Sequence, residues 1–211
     1  MVHDQRRGFF DHHAPGWDNG DHKKKQERLR KIFSDFLPTI QTPVLDLGSG
    51  TGILIPMLLD REVRNQKIIE LDLSFRMLVQ AASKMKENGK ITYLNGDVHY
   101  LPFPDQCIAT VICFEAFPHF RNQPHALQEL HRVLITGGNL IILHLMGHER
   151  LNAYHDHVGD AILHDHLPPL SELVRMLRQN NFHILRSLEN EDLYLIEVRK
   201  LYSFFTSLDY K

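Results

Sequence analysis

A glycine at every second position follows a short apolar stretch early in the chain. Residues 44–52 read Val-Leu-Asp-Leu-Gly-Ser-Gly-Thr-Gly. Glycine is used where φ must be positive or where a Cβ would collide with a ligand, so this loop can bring backbone against a small molecule. The spacing differs from the dinucleotide fingerprint G-x-G-x-x-G, and the Lys-Ser/Thr pair of a P-loop is absent. Asp46, just before the glycines, favours a positively charged or polyhydroxyl ligand over a phosphate.

Two further aspartates follow the next two apolar stretches. Asp72 lies 24 residues beyond Gly48, close to the roughly 20 at which an acidic residue meets a ribose diol in related nucleotide sites. Asp97 could accept a hydrogen bond from an adenine amino group, and Val98 could donate its backbone N–H. Each aspartate alone is also compatible with a helix cap or a turn. Three of them, each after its own strand, predict a nucleoside-binding edge.

The apolar pattern predicts the elements that position these side chains. Helices are predicted over residues 21–36 and 53–59, from Ser74 towards Gly89, from Pro124 to Gly137-Gly138, and from Ser171. Strands are predicted at 44–47, 67–71, 91–94, 107–114, 139–145, 182–188 and 193–198. This alternation predicts an α/β fold, a largely parallel sheet with helices on both sides. Ligands of such sheets bind at the carboxyl ends of the strands.

Composition narrows the class of protein. Of the 211 residues, 24% are charged and 43% are hydrophobic, with a formal net charge of -2. We therefore expect one globular domain over residues 1–211 and no nucleic-acid partner. No apolar run approaches the roughly 20 residues that span a bilayer, and the first residues lack the apolar core of a signal peptide. These features predict a cytoplasmic protein without a membrane span. Cys107 and Cys113 are predicted to lie about 20 Å apart in one strand, too far for a disulfide.

Taken together, these segments resemble the motifs of class I S-adenosylmethionine-dependent methyltransferases. Residues 44–52 resemble the first motif, 69–74 the second, and 96–98 with 101–103 the third. The turn at 132–138 is also similar, with Thr136 in place of the family's proline. The resemblance covers about residues 36–145. It implies a three-layer αβα Rossmann-like fold whose seven-stranded sheet is mostly parallel, with one antiparallel strand.

The resemblance also implies the cofactor S-adenosyl-L-methionine, with S-adenosyl-L-homocysteine as its product. Gly48, Ser49 and Gly50 would approach the methionine part, Asp72 the ribose, and Asp97 with Val98 the adenine. The full set of predicted cofactor-binding residues is Asp46, Gly48, Ser49, Gly50, Asp72, Leu73, Asp97, Val98 and Phe114.

The N-terminal segment 1–36 is predicted to act as a lid. Its parts at 9–11 and 17–18 are similar to the start of the ubiquinone/menaquinone C-methyltransferase-like branch, where this segment helps to cover the cofactor. The aromatic residues could equally pin the terminus to the core. The predicted substrate-contacting residues are Phe9, Trp17, Phe117, Asn152 and His155.

Histidine is unusually frequent, with 15 residues in the chain. Methyl transfer requires a base only when the nucleophile carries a proton of high pKa. Three histidines after the fourth and fifth predicted strands are candidate catalytic residues, with an ordinary buried or surface histidine as the alternative for each. They are His119, His144 and His148.

Residues 147–169 form a histidine-rich insertion that departs from the generic family pattern. If residues 148–158 are helical, His148, Asn152 and His155 share one face, a spacing suited to a substrate pocket or a metal. The zinc motif H-E-x-x-H is not met, because Asn152 takes the second histidine position. A solvated surface, a substrate-binding lid and a metal site all stay open. The candidate metal ligands are His148, His155, His157, His164 and His166.

The resulting hypothesis is transfer of a methyl group from S-adenosylmethionine to a small-molecule acceptor. One alternative is a cofactor-binding protein of the same fold whose insertion binds a transition metal or a metal-containing substrate. Another is a methyltransferase fold without activity, although the glycine loop and the three aspartates speak against it. The sequence does not specify the acceptor atom or the oligomeric state.

Overall fold

The computed structural model describes residues 5–37, 39–61, 66–85, 89–158 and 161–201. The strands are β1 Val44–Leu47, β2 Ile68–Asp72, β3 Ile91–Asn95, β4 Ile108–Phe114, β5 Leu134–His144, β6 Phe182–Asn190 and β7 Leu193–Lys200. The helices are α1 Gln5–His13, α2 His22–Phe36, α3 Ile55–Leu59, α4 Phe75–Lys84, α5 Gln123–Val133, α6 His148–Val158 and α7 Leu170–Gln179. Single 3-10 turns lie at Ala14–Gly16, Val98–Tyr100 and Phe117–His119.

The seven strands form one sheet in the order β3-β2-β1-β4-β5-β7-β6. β7 pairs antiparallel with both β5 and β6, whereas the pairs among β1 to β5 are parallel. The chain moves outward from β1 to β3 and then returns to β4, so the direction of winding reverses between β1 and β4. The predicted mostly parallel sheet with one antiparallel strand is confirmed.

Two apolar layers pack on the two faces of this sheet. Successive residues of β4 alternate between them, with Val111 in one layer and Ile112 in the other. The first layer takes its helical residues from α5, α6 and α7, and the second takes them from α2 and α3. The alternation follows from the two-residue period of a strand, and it confirms the three-layer arrangement. Among the described residues, no helix has the length and apolar character needed to traverse a bilayer.

The predicted end of α5 at Gly137-Gly138 is wrong. The helix ends at Val133, and β5 begins at the next residue. Gly138 lies where β5 crosses an irregular stretch of β4, and a Cβ there would lie 2.9 Å from the backbone oxygens of both Ala109 and Ile135. Gly138 therefore permits a close contact with β4, and Gly137 has a φ of +79°, so the two glycines serve the strand and do not end the helix.

Helix α1 was not predicted. It contains no buried residue, so it carries no apolar stripe from which a helix could be recognised. By contrast, the predicted cap of α4 is confirmed, because Ser74 Oγ accepts a hydrogen bond from the Met77 amide at 3.2 Å. Cys107 and Cys113 are both free thiols. A single domain over residues 1–211 and a cytoplasmic location stay predictions.

Candidate functional site

A cavity of about 330 Å³ lies at the carboxyl ends of the central strands. Its floor is formed by the glycine loop after β1, by Asp72 and Leu73 at the end of β2, and by residues 96–99 after β3. Residues 114–116 at the end of β4 form one side. This is the point at which the winding of the sheet reverses, where ligands bind in folds of this kind. The volume falls within the range of about 300–1,000 Å³ typical of small-molecule sites.

The glycine loop has the backbone conformation that its sequence predicts. Gly48, Gly50 and Gly52 have φ values of +69°, +55° and +78°. The amides of Gly48 and Ser49 both donate to the carbonyl of Leu71, at 2.8 and 3.2 Å, which joins the loop to the end of β2. A Cβ on Gly48 would overlap the methyl group of Ala116. Glycine at this position is thus required by packing against the segment after β4 as well as by its φ.

Asp72 organises the floor of the cavity. Its Oδ2 accepts the Gly50 amide at 2.8 Å, and its Oδ1 accepts the Ser74 amide at 2.7 Å. Burial raises the pKa of Asp72 to about 6, with Asp11 adding to the effect, while the two amides and His119 oppose it. The group is therefore ionised at neutral pH. A carboxylate that lines the cavity with only part of its accepting capacity in use can receive hydrogen bonds from a ligand.

Two more carboxyls are buried near the loop. Asp46 is 1% exposed and Glu70 is 0% exposed. Burial raises the pKa of Asp46 to about 8, with Asp72 adding to it, and burial raises the pKa of Glu70 well above its usual range, with Asp46 and Asp72 adding to it. Asp46 Oδ2 and both Glu70 oxygens have no hydrogen-bond partner among the residues that the structure describes. This excess of buried acid favours a ligand that brings positive charge or donors.

Asp97 and Val98 line the opposite end of the floor. Asp97 Oδ1 accepts from the backbone N–H and the Nδ1 of His99, at 3.0 and 2.5 Å, and Oδ2 accepts from Arg121 at 2.7 Å. Burial alone would raise the pKa of Asp97, but the bonds from His99 and the charge of Arg121 lower it. His99 Nε2 accepts the Asn122 amide at 3.1 Å, so the Nδ1 of His99 donates to Asp97. Asp97 is therefore a carboxylate that already serves several donors.

The N-terminal segment forms the outer wall, where Phe10, Trp17, Asn19, His22 and Lys25 line the cavity. Asp18 accepts from the Thr51 hydroxyl of the glycine loop at 2.5 Å and also binds Lys84. Asp11 accepts from the Ser74 hydroxyl at 2.6 Å. These polar contacts fasten the segment to the loop and to the start of α4. The segment lies along the cavity, and its action as a lid stays a prediction.

A buried carboxylate connects the far end of the cavity to α1. Asp165 is 1% exposed, and its Oδ2 lies 2.8 Å from Nδ1 of His119. Arg6 binds both carboxylate oxygens, with Nε–O distances of 2.9 and 3.0 Å. The carbonyl oxygen of Asp165 lies 2.5 Å from Nδ1 of His155. Burial would raise the pKa of Asp165, but His119 and Arg6 outweigh it and lower that pKa.

Of the three candidate catalytic histidines, only His119 lines the cavity. His144 is buried behind it, and neither of its ring nitrogens has a hydrogen-bond partner within the described ranges. Burial lowers the pKa of His144 to about 3, with His119 and His155 adding to the effect. His148 lies elsewhere, and both its amide and its Nδ1 bind Glu189 Oε1, at 2.9 and 2.6 Å.

The predicted cofactor and substrate residues likewise divide into those that line the cavity and those that do not. All predicted cofactor-binding residues line the cavity except Asp46, which is buried beneath the loop. Of the predicted substrate contacts, only Trp17 lines it. Phe9 packs against Phe10 and His13, and Phe117 is fully buried in the core. The other two are structural, because Asn152 binds the backbone of Leu167 and His155 binds that of Asp165.

Residues 148–158 of the histidine-rich insertion are helical, as the predicted common face of His148, Asn152 and His155 requires. However, no group of three or more His, Cys, Asp or Glu side chains in the described part of the chain is placed to hold a metal. His157 Nδ1 lies 2.7 Å from the carbonyl oxygen of Ala153, and His166 Nε2 lies 3.0 Å from Asp156. His164 is exposed at the rim of a second cavity. The arrangement gives the metal interpretation no support.

Four residues at the cavity and behind its wall were not predicted as site residues: Arg6, Phe120, Arg121 and Asp165. The Arg6–Asp165 pair joins residues 159 positions apart, and no local spacing signals such a contact. For Arg121 a signal existed, because it follows His119 and Phe120 directly in the segment after β4, the position at which functional side chains were sought.

The middle of the chain is similar to known methyltransferases. The family described as "Methyltransferase domain" matches residues 45–142. The demethylmenaquinone methyltransferase of Thermus thermophilus is 37% identical over 101 residues, 47% of this chain and 46% of the relative. The enzyme of the same name from Thermotoga maritima is 36% identical over 117 residues, 56% and 49% of the two chains. The match spans about half the length of these relatives.

A solved structure shares the fold over nearly the whole chain. It comes from the Haloferax volcanii complex that contains the Trm112 methyltransferase activator, with a TM-score of 0.75 at 20% identity, and it covers 92% of this chain and 98% of that one. The region matched in sequence contains the glycine loop, Asp72 and Asp97. Residues 45–142 of this chain are thus similar to methyltransferase domains, among them those of demethylmenaquinone methyltransferases and of ubiquinone/menaquinone biosynthesis C-methyltransferases.

Proposed function

We propose that this protein transfers the methyl group of S-adenosyl-L-methionine to a small-molecule acceptor. The observation that carries the proposal is Asp72, a buried carboxylate that faces the cavity while it holds the Gly50 amide at 2.8 Å. It combines a hydrogen-bond acceptor for a ribose diol with a loop whose backbone a ligand can approach. The similarity of residues 45–142 to methyltransferase domains supports the same cofactor.

The residues around the cavity fit this cofactor. Its sulfonium and ammonium groups are positive, and Asp46 and Glu70 provide acidic side chains with unpartnered oxygens beneath the loop. Leu73, Val98 and Phe114 offer apolar surface for the adenine. Because Asp97 is ionised, it can accept a further hydrogen bond from the adenine amino group.

The acceptor would bind at the far end of the cavity, beside His119. Phe10, Trp17 and Phe120 contribute aromatic surface there. Flat aromatic faces suit a planar molecule. Two relatives are named for demethylmenaquinone, which makes that compound the first acceptor to test.

When bound, S-adenosylmethionine would supply an activated methyl group and leave as S-adenosylhomocysteine with the electron pair of the broken carbon–sulfur bond. The contribution of the chain is alignment and exclusion of water. Asp72 and the glycine loop would fix one reactant, while Phe10 and Trp17 cover the site. Alignment of two reactants removes as much as about 7–11 kcal/mol of a barrier in favourable intramolecular cases.

Calorimetry with S-adenosylhomocysteine tests the cofactor site. We expect Asp72→Ala to weaken binding by about 1.5–3 kcal/mol, because hydrogen bonds to a charged acceptor are lost. Asp60→Ala is the matched control, since Asp60 is an exposed aspartate that pairs with Arg30 outside the cavity. Equal affinities in wild type and Asp72→Ala would remove Asp72 from the site. Transfer to the reduced (quinol) form of demethylmenaquinone, followed by mass spectrometry, then tests the acceptor.

A further inference from the structure

His119 and Asp165 form a hydrogen-bonded pair at the wall of the cavity where the acceptor would bind. Asp165 comes from the histidine-rich insertion and Arg6 from α1, so three separate parts of the chain meet at one carboxylate. We infer that His119 is the general base of the methyl transfer, an inference that rests on the proposed function. We further infer that Asp165 is its positioning residue and that Arg6 fixes the orientation of Asp165.

The contact between the two side chains selects the tautomer of the imidazole. An ionised carboxylate only accepts hydrogen bonds, so the His119 nitrogen that lies 2.8 Å from Asp165 Oδ2 must carry the hydrogen. That nitrogen is Nδ1. In a neutral imidazole the other nitrogen is then the acceptor, which makes Nε2 the basic atom.

The imidazole of His119 is held on several sides. The ring of Phe10 packs edge-on with centroids 5.0 Å apart, and the ring of His155 lies 5.1 Å away. The titratable and charged groups that face it are Asp165, Arg6, His155, His144 and Asp72. Among them, His144 is kept neutral by its burial, because burial lowers its pKa to about 3. The ring therefore faces one directly bonded anion, Asp165.

Arg6 restricts how the Asp165 side chain can present itself. Nε and a terminal nitrogen of Arg6 both donate to Oδ1, and Nε also lies 3.0 Å from Oδ2. The oxygen that receives two guanidinium donors must remain an acceptor. His119 is left with the other oxygen, Oδ2.

The proposed step transfers one proton. The X–H bond of the acceptor breaks and its proton moves to Nε2 of His119. The electron pair left on the acceptor forms the new bond to the methyl carbon, while the bond between that carbon and sulfur breaks and its electron pair stays on sulfur. The resulting imidazolium is stabilised by Asp165, which stays ionised, as in other histidine–carboxylate pairs. The added charge therefore rests beside a carboxylate that is already in place.

Substitution by asparagine should reverse the tautomer. In Asp165→Asn the Arg6 donors hold the amide oxygen at the position of Oδ1, which turns the amide NH₂ towards His119. Nδ1 must then accept, and the hydrogen moves to Nε2, the atom that the reaction requires to be free. In the double variant Arg6→Gln/Asp165→Asn the amide can rotate, so we expect the Nδ1–H form to return in part.

Histidine ¹⁵N NMR of the free protein measures this directly. Spectra are recorded at about pH 8.5, where an ordinary histidine is neutral, and the His119 signals are identified by their loss in His119→Gln. We expect Nδ1–H in wild type and Nε2–H in Asp165→Asn. Asp156→Asn is the control, because Asp156 binds His166 in the same segment at 3.0 Å but at an exposed site. It should leave His119 unchanged.

Two parallel measurements separate this inference from the proposed function. S-adenosylhomocysteine should bind His119→Gln within about twofold of wild type, whereas transfer to demethylmenaquinone should fall by about 10²–10⁴-fold. An Nε2–H tautomer in wild type, an unchanged tautomer in Asp165→Asn, or full transfer by His119→Gln would overturn the inference. The His119 tautomer in the wild-type protein tests the inference even if Asp165→Asn fails to fold. Failure of wild type to bind S-adenosylhomocysteine would instead overturn the proposed function.

Discussion

Individual carboxyl groups give this site its character. Asp72 binds two backbone amides and still faces the cavity, whereas Asp46 and Glu70 lie beneath the loop with unpartnered oxygens. Burial of uncompensated charge is costly, and proteins relieve that cost by raising the pKa of the acid. With a pKa of about 8, Asp46 is mostly protonated at neutral pH, and a positive charge bound nearby would lower that pKa.

The pH dependence of stability tests whether Asp46 is protonated in the folded protein. Its pKa in the folded protein, about 8, lies above the ordinary value of 3.8. The folded state therefore retains a proton that the unfolded chain loses, and this contribution to stability disappears as pH rises from about 4 to about 8. Asparagine has no such proton. We expect the free energy of unfolding of Asp46→Asn, relative to wild type, to grow across this window by at most about 1.4 kcal/mol per pH unit.

Urea unfolding of both proteins at about pH 5, 6.5, 8 and 9 provides the measurement for Asp46. The difference between the two curves should level off above about pH 8. A difference that stays constant from acid to alkaline pH would mean that Asp46 titrates at its ordinary value.

Gly48 permits a close contact across the site. In Gly48→Ala the new Cβ would overlap Ala116, and φ of +69° is unfavourable for alanine. Unfavourable backbone conformations cost on the order of 1–3 kcal/mol, and the overlap adds to that. Adding Ala116→Gly to Gly48→Ala should recover the part of the lost unfolding free energy that comes from the overlap. The part that comes from the unfavourable φ should remain. A double-mutant cycle by urea unfolding measures the coupling, and strictly additive effects would show that the two residues do not press on each other.

Among the elements, helix α1 depends on polar contacts, whereas the insertion combines polar contacts with apolar packing. Helix α1 has no buried residue, and it is fastened by Arg6 and Asp11. In the insertion, Leu151 and Leu167 belong to the core. Asn152 also binds both backbone groups of Leu167, with distances of 2.9 and 2.8 Å. These bonds connect α6 to the segment that carries Asp165.

Asn152 was predicted to contact substrate, and its placement suggests a structural test. Asn152→Ala leaves the buried backbone N–H and C=O of Leu167 without partners, so we expect a loss of about 2 kcal/mol in the free energy of unfolding. Affinity for S-adenosylhomocysteine should stay within about twofold of wild type. Gln123→Ala is a suitable control, because it removes one exposed hydrogen bond to His166 in the same segment. Normal stability together with weaker ligand binding would instead show that Asn152 contacts the ligand.

At the scale of the whole molecule, the sheet and the residues that line the floor of the cavity could be predicted from the sequence. The apolar run of β4 indicates a strand covered on both faces. The predicted cofactor residues other than Asp46 lie at or just after the carboxyl ends of β1 to β4. In a parallel sheet those positions converge because the carboxyl ends of the strands share one edge. Local sequence was therefore enough for that half of the site.

The acceptor end could not be predicted in the same way. Phe117 and Phe120 are three residues apart, yet the 3-10 turn between them buries the first in the core and directs the second to the cavity. The Arg6–Asp165 pair depends on how α1 and the insertion pack, and neither leaves a periodic signal. A pattern of histidines suggested metal ligands, whereas His148 and His166 each pair with a separate carboxylate.

The central claim is that the cavity at the carboxyl ends of β1 to β4 is the S-adenosylmethionine site. A crystal structure of the protein with S-adenosylhomocysteine tests it most directly. We expect the ribose hydroxyls within hydrogen-bonding distance of Asp72, the adenine beside Val98, and the homocysteine sulfur directed towards the wall that contains His119. Ligand density at another position, or a cavity that stays free of ligand in crystals grown at saturating concentration, would contradict the account.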